Sequence, residues 1–190
     1  MMSDLSARPQ NHPPGCACCS FSPTRLGRRG LLRSAAAGAV LLTTAPRVVF
    51  AAEGNYEAMI LACIDPRMQE PVRAYAQKNG LIGKYSQFVI AGAAIGVVAP
   101  KFADWHKTFW ENLAASIELH NIKKVIAIDH RDCGAAKIAY GDASIATPEK
   151  ENETHRAALA DFRKQVKERQ PKLAVETGLM ALDGSMMMFS

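Results

Sequence analysis

From about residue 55 onward, short unbroken apolar runs alternate with longer amphipathic stretches. Met59-Ile60-Leu61-Ala62 predicts a buried strand that opens into a loop at Cys63-Ile64-Asp65-Pro66-Arg67. Residues 68–78 follow a helical pattern, with Pro71 tolerated in the first turn and Asn79-Gly80 as a stop. Residues 87–91 predict a second strand. Asp104 stands where a cap is expected for a long helix running to about His120, with Phe109, Leu113 and Ile117 as its apolar stripe. Residues 124–129 predict a third buried strand, ending at His130-Arg131-Asp132-Cys133-Gly134. A short helix to about Tyr140, a loop over 141–148 and a charged amphipathic helix over 149–170 follow, the last with Leu159, Phe162 and Val166 facing inward. Residues 173–182 and 185–189, around Asp183-Gly184, read as a terminal hairpin. Strands alternating with helices predict an α/β fold, a mostly parallel central sheet covered by helices with a C-terminal hairpin.

The chain before residue 52 has a different texture. Residues 1–27 are rich in Pro, Ser and Cys without an apolar period, and read as unstructured. Arg28-Arg29-Gly30-Leu31-Leu32-Arg33 follows, then a modest Ala-rich apolar run over 34–45, far short of the ~20 residues of a membrane span. Val49-Phe50-Ala51 completes a small-residue cleavage site, with Ala52 as the expected mature start. That order of parts is a secretory signal, and the paired arginines make it resemble a Tat signal. Residues 1–51 are thus expected to be cleaved after passage through the Tat translocase. Residues 52–190 form a single domain in the periplasm.

Charge sharpens this division. The formal net charge of +5 comes entirely from residues 1–51, where six arginines face one aspartate. The remaining 139 residues carry 17 basic and 17 acidic side chains, so nothing in the body supports a nucleic-acid footprint. Cys16, Cys18 and Cys19 fall in the leader, where a metal-binding reading is less favoured than incidental cysteines in a removed segment. The mature chain keeps Cys63 and Cys133.

In an oxidising compartment, two cysteines ordinarily predict one disulfide. Their surroundings point elsewhere. Cys63 follows the first strand, and His130 and Cys133 follow the third. Ligands of open α/β sheets bind beyond the carboxyl ends of the strands, where strand order reverses. If the two strands flank that point, the three side chains meet in one crevice. Two thiolates and an imidazole suit Zn²⁺ and leave a fourth tetrahedral position for water or substrate. Asp65 and Arg67, two apart in the same loop, form a dyad in which the guanidinium keeps the carboxylate ionised and oriented beside a metal-bound water.

These motifs resemble the β-carbonic anhydrase family, marked by C-x-D-x-R after the first strand and H-x-x-C, often with glycine next, after a later one. Here they are Cys63-x-Asp65-x-Arg67 and His130-x-x-Cys133-Gly134, over roughly residues 55–145. The resemblance implies a β-carbonic anhydrase-like fold, Zn²⁺ on Cys63, His130 and Cys133, and Asp65 and Arg67 as the catalytic dyad. It also implies reversible hydration of CO₂ to bicarbonate by a zinc-bound hydroxide, and homodimers or higher oligomers. In some members the aspartate itself occupies the fourth zinc position until the arginine draws it away. The family's R-N-A-G stretch has no full counterpart, since residues 89–94 are Val-Ile-Ala-Gly-Ala-Ala. The body begins almost at its first strand, so the N-terminal helical arm of many members is expected to be missing as well.

Other readings keep part of this picture. The same zinc site could serve COS or CS₂ hydrolysis, or belong to a non-catalytic zinc- or bicarbonate-binding relative. His106, His120 and His155 lie in helical segments and read as surface or capping residues rather than proton shuttles. Trp105, Phe109 and Trp110 read as core or interface residues, Met186-Met187-Met188 as a hydrophobic strand, and Arg163-Lys164 with Lys167-Glu168-Arg169 as a solvated helix face. A Tat substrate folds before crossing, so zinc could enter in the reducing cytoplasm and protect its thiolates before they meet oxidants.

Overall fold

A computed structural model describes residues 54–190. The twin-arginine leader, its cleavage point and Cys16, Cys18 and Cys19 lie outside the described residues. Strand β1 (Ala58–Ala62) is buried at every position, and β3 (Lys124–His130) at all but its first. Continuous apolar sequence requires this, because a strand covered on both faces has no solvent side and no reason to alternate. β1 lies between β2 (Tyr85–Val89) and β3, parallel to both, and β4 (Ala174–Met180) pairs in parallel beyond β3. β5 (Met186–Phe189) folds back antiparallel on β4 across a turn in which Gly184 takes φ +86°. The order is β2-β1-β3-β4-β5. The fold is the expected one: a mostly parallel sheet, covering helices and a terminal hairpin.

Helix α1 (Gln69–Lys78) covers one face. Its Val72 and Ala76, with Met68 and Leu81, pack on Ala58, Ile60, Ala62, Ile126 and Ile128. The opposite face carries α2 (Ala94–Val98), α3 (Ala103–His120), α4 (Gly134–Tyr140) and α5 (Pro148–Arg169) over Met59, Leu61, Val125 and Ala127. Alternate residues of each central strand therefore feed opposite layers. Phe109 of α3 and Phe162 of α5 meet in the larger layer with ring centroids 5.6 Å apart. Local chemistry sets the helix ends: Thr147 caps α5 through the Lys150 amide with Pro148 next, and Asn121 ends α3 in the left-handed region.

Several sequence expectations shift. β2 begins and ends two residues earlier than expected, because Ile90 and Ala91 leave the strand for a tight turn at Gly92. Asp104 does not cap α3. A 3₁₀ turn over Pro100–Phe102 runs straight into the helix, so Asp104 falls in its first turn, where a carboxylate still favours the helix dipole. His155 is no surface residue but fully buried. Nor is the charge run of α5 merely solvated: Arg163 donates to Thr177 Oγ1 and the Phe189 carbonyl, and Lys167 donates to the Leu173 carbonyl, fastening the helix to the hairpin.

The chain leaves β1 through α1 to reach β2 on one side, then crosses back over β1 to enter β3 on the other. Strand order thus reverses between the carboxyl ends of β1 and β3, where a crevice opens in such sheets. The layer around Phe162 is the larger store of buried apolar surface. Phe162→Ala is expected to cost about 3–5 kcal/mol of stability, whereas Met188→Ala, at a half-exposed position, should stay within about 0.5 kcal/mol; urea denaturation of the two variants checks this.

Candidate metal centre

The register pairs Ala62 with Ile128, so the residues that follow the two strands emerge side by side. Cys63 comes directly after β1, His130 closes β3, and Cys133 occupies the N-cap position of α4. One ligand atom from each of Cys63, His130 and Cys133 lies within 4.8 Å of the others. The three residues are 8%, 1% and 1% exposed. Both cysteines are free thiols, so the disulfide is absent from the structure.

The histidine is aimed. Its Nδ1 donates to the Arg131 carbonyl at 2.8 Å, which fixes the tautomer and leaves Nε2 with its lone pair toward the sulfurs. That Nε2 is buried and has no hydrogen-bond partner in the protein. A buried nitrogen left unpaired between two thiols is costly unless something binds it. The donor set (two thiols, one imidazole) and this orphaned nitrogen fit a zinc-type ion.

Electrostatics already separates the two sulfurs. The Cys133 hydrogen bond pulls the Cys63 thiol down to about 4 against the opposing effect of burial, with His130 and the Gly92 and Asp65 amides adding to it. Cys133 is pushed upward by the same partner and by burial. The two sulfurs thus push one another in opposite directions, which favours the thiolate on Cys63. Burial is the largest influence on His130 and pulls it down, but the Cys63 sulfur, the Arg131 carbonyl and the Asp65 carboxylate together leave it raised.

Asp65 caps the 3₁₀ turn Pro66–Met68, which brings its carboxylate back onto Arg67. Oδ1 accepts from the Arg67 amide at 2.9 Å and from Nε at 3.0 Å, and Oδ2 accepts from Nη2 at 2.7 Å. This side-on fork brings the carboxyl down to about 2. Arg67 also reaches across the crevice: Nη1 donates to Asp132 Oδ2 at 2.9 Å and Nη2 to the Asp132 carbonyl at 3.2 Å. Asp132 holds φ +55°, a conformation unusual outside glycine. The arginine thus ties the loop after β1 to the turn after β3.

A cavity of about 420 Å³ opens beside Cys63, with Ile64, Ile82, Tyr85, Gln87 and Val89 among its walls. The larger hollow of about 790 Å³ lies between α1 and the hairpin and contains none of the three ligand candidates. Chemistry, not size, selects the first.

A family model described as "Putative carbonic anhydrase" matches residues 53–180, about two thirds of the chain. The chain belongs to this carbonic anhydrase family. An uncharacterized protein of Rickettsia conorii is 36% identical over 126 residues, spanning 66% of this chain and 68% of its own. A second, from Rickettsia bellii, shows the same identity and covers 77% of its own length. The Coccomyxa β-carbonic anhydrase solved in complex with acetazolamide shares the fold at a TM-score of 0.50 and 15% identity, over 85% of this chain and 82% of that one.

Within this carbonic anhydrase scaffold, all five residues singled out from the sequence stand around the crevice. Cys63, His130 and Cys133 converge, and Asp65 and Arg67 pair at its edge. Four further participants escaped the motif reading. Gly92 donates its amide to Cys63 Sγ at 3.2 Å. Asp132 takes the far side of Arg67. Glu151 accepts from Arg131 Nη1 at 2.8 Å and from the Asp132 amide. His155 pairs with Asp129. A signal for the last two was present, because His155 and Glu151 continue the stripe of Leu159, Phe162 and Val166 one and two turns, respectively, toward the N-terminus on the buried face.

With its pKa lowered from the ordinary ~3.9 to about 2, Asp65 stabilises the folded chain above pH ~3.9, and this contribution disappears as pH falls through about 2. Arg67→Leu should return the Asp65 carboxyl to roughly 4 and remove that acid-sensitive increment. A ¹³C NMR titration of the Asp65 carboxyl, with denaturation between pH 2 and 7, reads both.

Proposed function

We propose that this chain is a zinc-dependent carbonic anhydrase, catalysing the reversible hydration of CO₂ to bicarbonate. The observation that carries the reading is the buried Cys63–His130–Cys133 cluster, with His130 Nε2 unpaired and aimed at two thiols. Family membership and the Asp65–Arg67 fork beside that cluster support it. Cys63, His130 and Cys133 would hold Zn²⁺, which as a Lewis acid makes hydroxide available from water near neutral pH.

The chain's own residues supply the rest. Cys63, already biased to the thiolate, and His130, held in one tautomer, are ready for a cation with little rearrangement. Asp65, kept ionised by Arg67, accepts a hydrogen bond from the attacking water and directs its lone pair toward the substrate. Ile64, Ile82 and Val89 give the adjoining cavity an apolar wall suited to a small uncharged molecule. The exposed apolar side chains at this edge strand also suit assembly into dimers or higher oligomers, which light scattering would measure.

The purified chain should contain about one zinc and accelerate CO₂ hydration in a stopped-flow assay, with activity rising as pH passes ~7. Cys63→Ser should lose bound metal and at least ~100-fold in rate. Zinc-loaded protein without CO₂ hydration defeats the catalytic assignment, and hydrolysis of COS in its place reassigns the substrate.

The same reading places the enzyme in the periplasm, with residues 1–51 a Tat signal and 52–190 the mature domain. It rests on the order of twin arginine, apolar run and small-residue site. Replacing Arg28 and Arg29 by lysine should leave uncleaved precursor in the cytoplasm, visible on fractionation; unaltered processing counts against the route.

A further inference from the structure

One buried histidine–carboxylate pair stands outside the metal centre and its Asp65–Arg67 fork. His155 of α5 is fully buried, and its Nδ1 lies 2.8 Å from Asp129 Oδ2. Asp129 is 1% exposed and sits near the end of β3, immediately before His130. Its other oxygen, Oδ1, accepts the amide of Ala94 at 2.9 Å. Two residues before Ala94, the Gly92 amide donates to Cys63 Sγ at 3.2 Å.

The intervening Ala93 is held at φ +48°, ψ −113°, a region that residues with a Cβ avoid. It is completely buried, and such a conformation persists only where surroundings impose it. The anchors are visible. Ala93 donates to the Ile90 carbonyl at 3.1 Å, and Ala94 donates to Asp129. Gly92 is wedged as well, since a Cβ there would stand 2.9 Å from Ala135 Cβ in the first turn of α4.

We propose that Asp129 and His155 are positioning residues for the metal centre. His155 orients the carboxylate, the carboxylate holds the Ala94 amide, and the turn so fixed points the Gly92 N–H at the Cys63 sulfur. A buried polar pair is poor value for stability alone, because apolar residues of the same volume serve as well or better. Here it places a hydrogen-bond donor on a thiolate. Such a donor stabilises the thiolate and holds its sulfur where a cation would bind, as outer-shell partners do at metal sites. This inference rests on the reading of Cys63 as a metal ligand.

The test compares disruptive and conservative variants. Asp129→Ala and His155→Leu remove the tether. Asp129→Asn retains an oxygen for Ala94 and offers His155 an N–H, while His155→Asn sets an amide nitrogen where Nδ1 stood. Zinc affinity is measured against a chromophoric chelator. The thiolate-to-metal absorption is read on Co²⁺-loaded protein, and amide exchange of Gly92 and Ala94 is followed by NMR in the metal-free chain.

The disruptive pair should bind zinc about 10–100-fold more weakly, shift the cobalt absorption to lower energy and speed exchange at both amides. The conservative pair should return most of each property. Wild-type affinity, absorption and exchange in the disruptive variants, with only a lowered denaturation midpoint, would overturn the proposal. Should Asp129→Ala fail to fold, His155→Leu carries the same comparison. If wild-type cobalt protein lacks the thiolate absorption, it is the assignment of Cys63 as a ligand that fails, and metal-free exchange still decides whether the pair holds the turn.

Discussion

The lateral pairing of β1 with β3 is the constraint on which everything else depends. Cys63 and His130 are separated by 67 positions in the chain, yet the parallel register that sets Ala62 against Ile128 delivers them to the same side of the sheet. A slip of one residue would turn the strand faces over and carry the apolar residues out of their layers. That slip is resisted by two cores at once: Ile60 and Ile126 belong to the α1 layer, and Leu61 and Ala127 to the opposite one. The precision of the crevice is therefore inherited from packing well away from it.

Around that pairing, each ligand segment is held by a different kind of interaction. The loop after β1 is closed on itself by Asp65 and Arg67 and joined to the β3 turn by Asp132. The β3 turn is gripped by Glu151 through both the Arg131 side chain and the Asp132 amide. The turn after β2 comes in through Gly92. Three loops from three strands thus share one hydrogen-bonded network. In such networks each member is worth more than its separate bonds suggest, because the others limit its freedom to move.

Much of this was legible in the sequence. Unbroken apolar runs at 59–62 and 125–128 identified central strands, and the cysteine and histidine that follow them identified the site. Boundaries were less legible. β2 ends early because of a turn whose geometry depends on tertiary contacts with Asp129 and Ala135, and no local pattern encodes those. Asp104 was misread as a cap because the 3₁₀ turn at Pro100–Phe102 merges with the helix. His155 was the instructive miss. Hydropathy counts histidine as polar, so its place on the buried stripe carried no weight until a carboxylate from another strand supplied its partner.

The clasp exerted by α5 has a consequence for the order of events at the ribosome. Glu151 and His155 lie 18 and 22 residues beyond Cys133, so both thiols are synthesised well before the helix that steadies their surroundings. In that interval the nascent crevice is an unfinished vessel: its sulfurs are present, but its walls are not yet braced. Closure comes late, after both sulfurs are already in the chain.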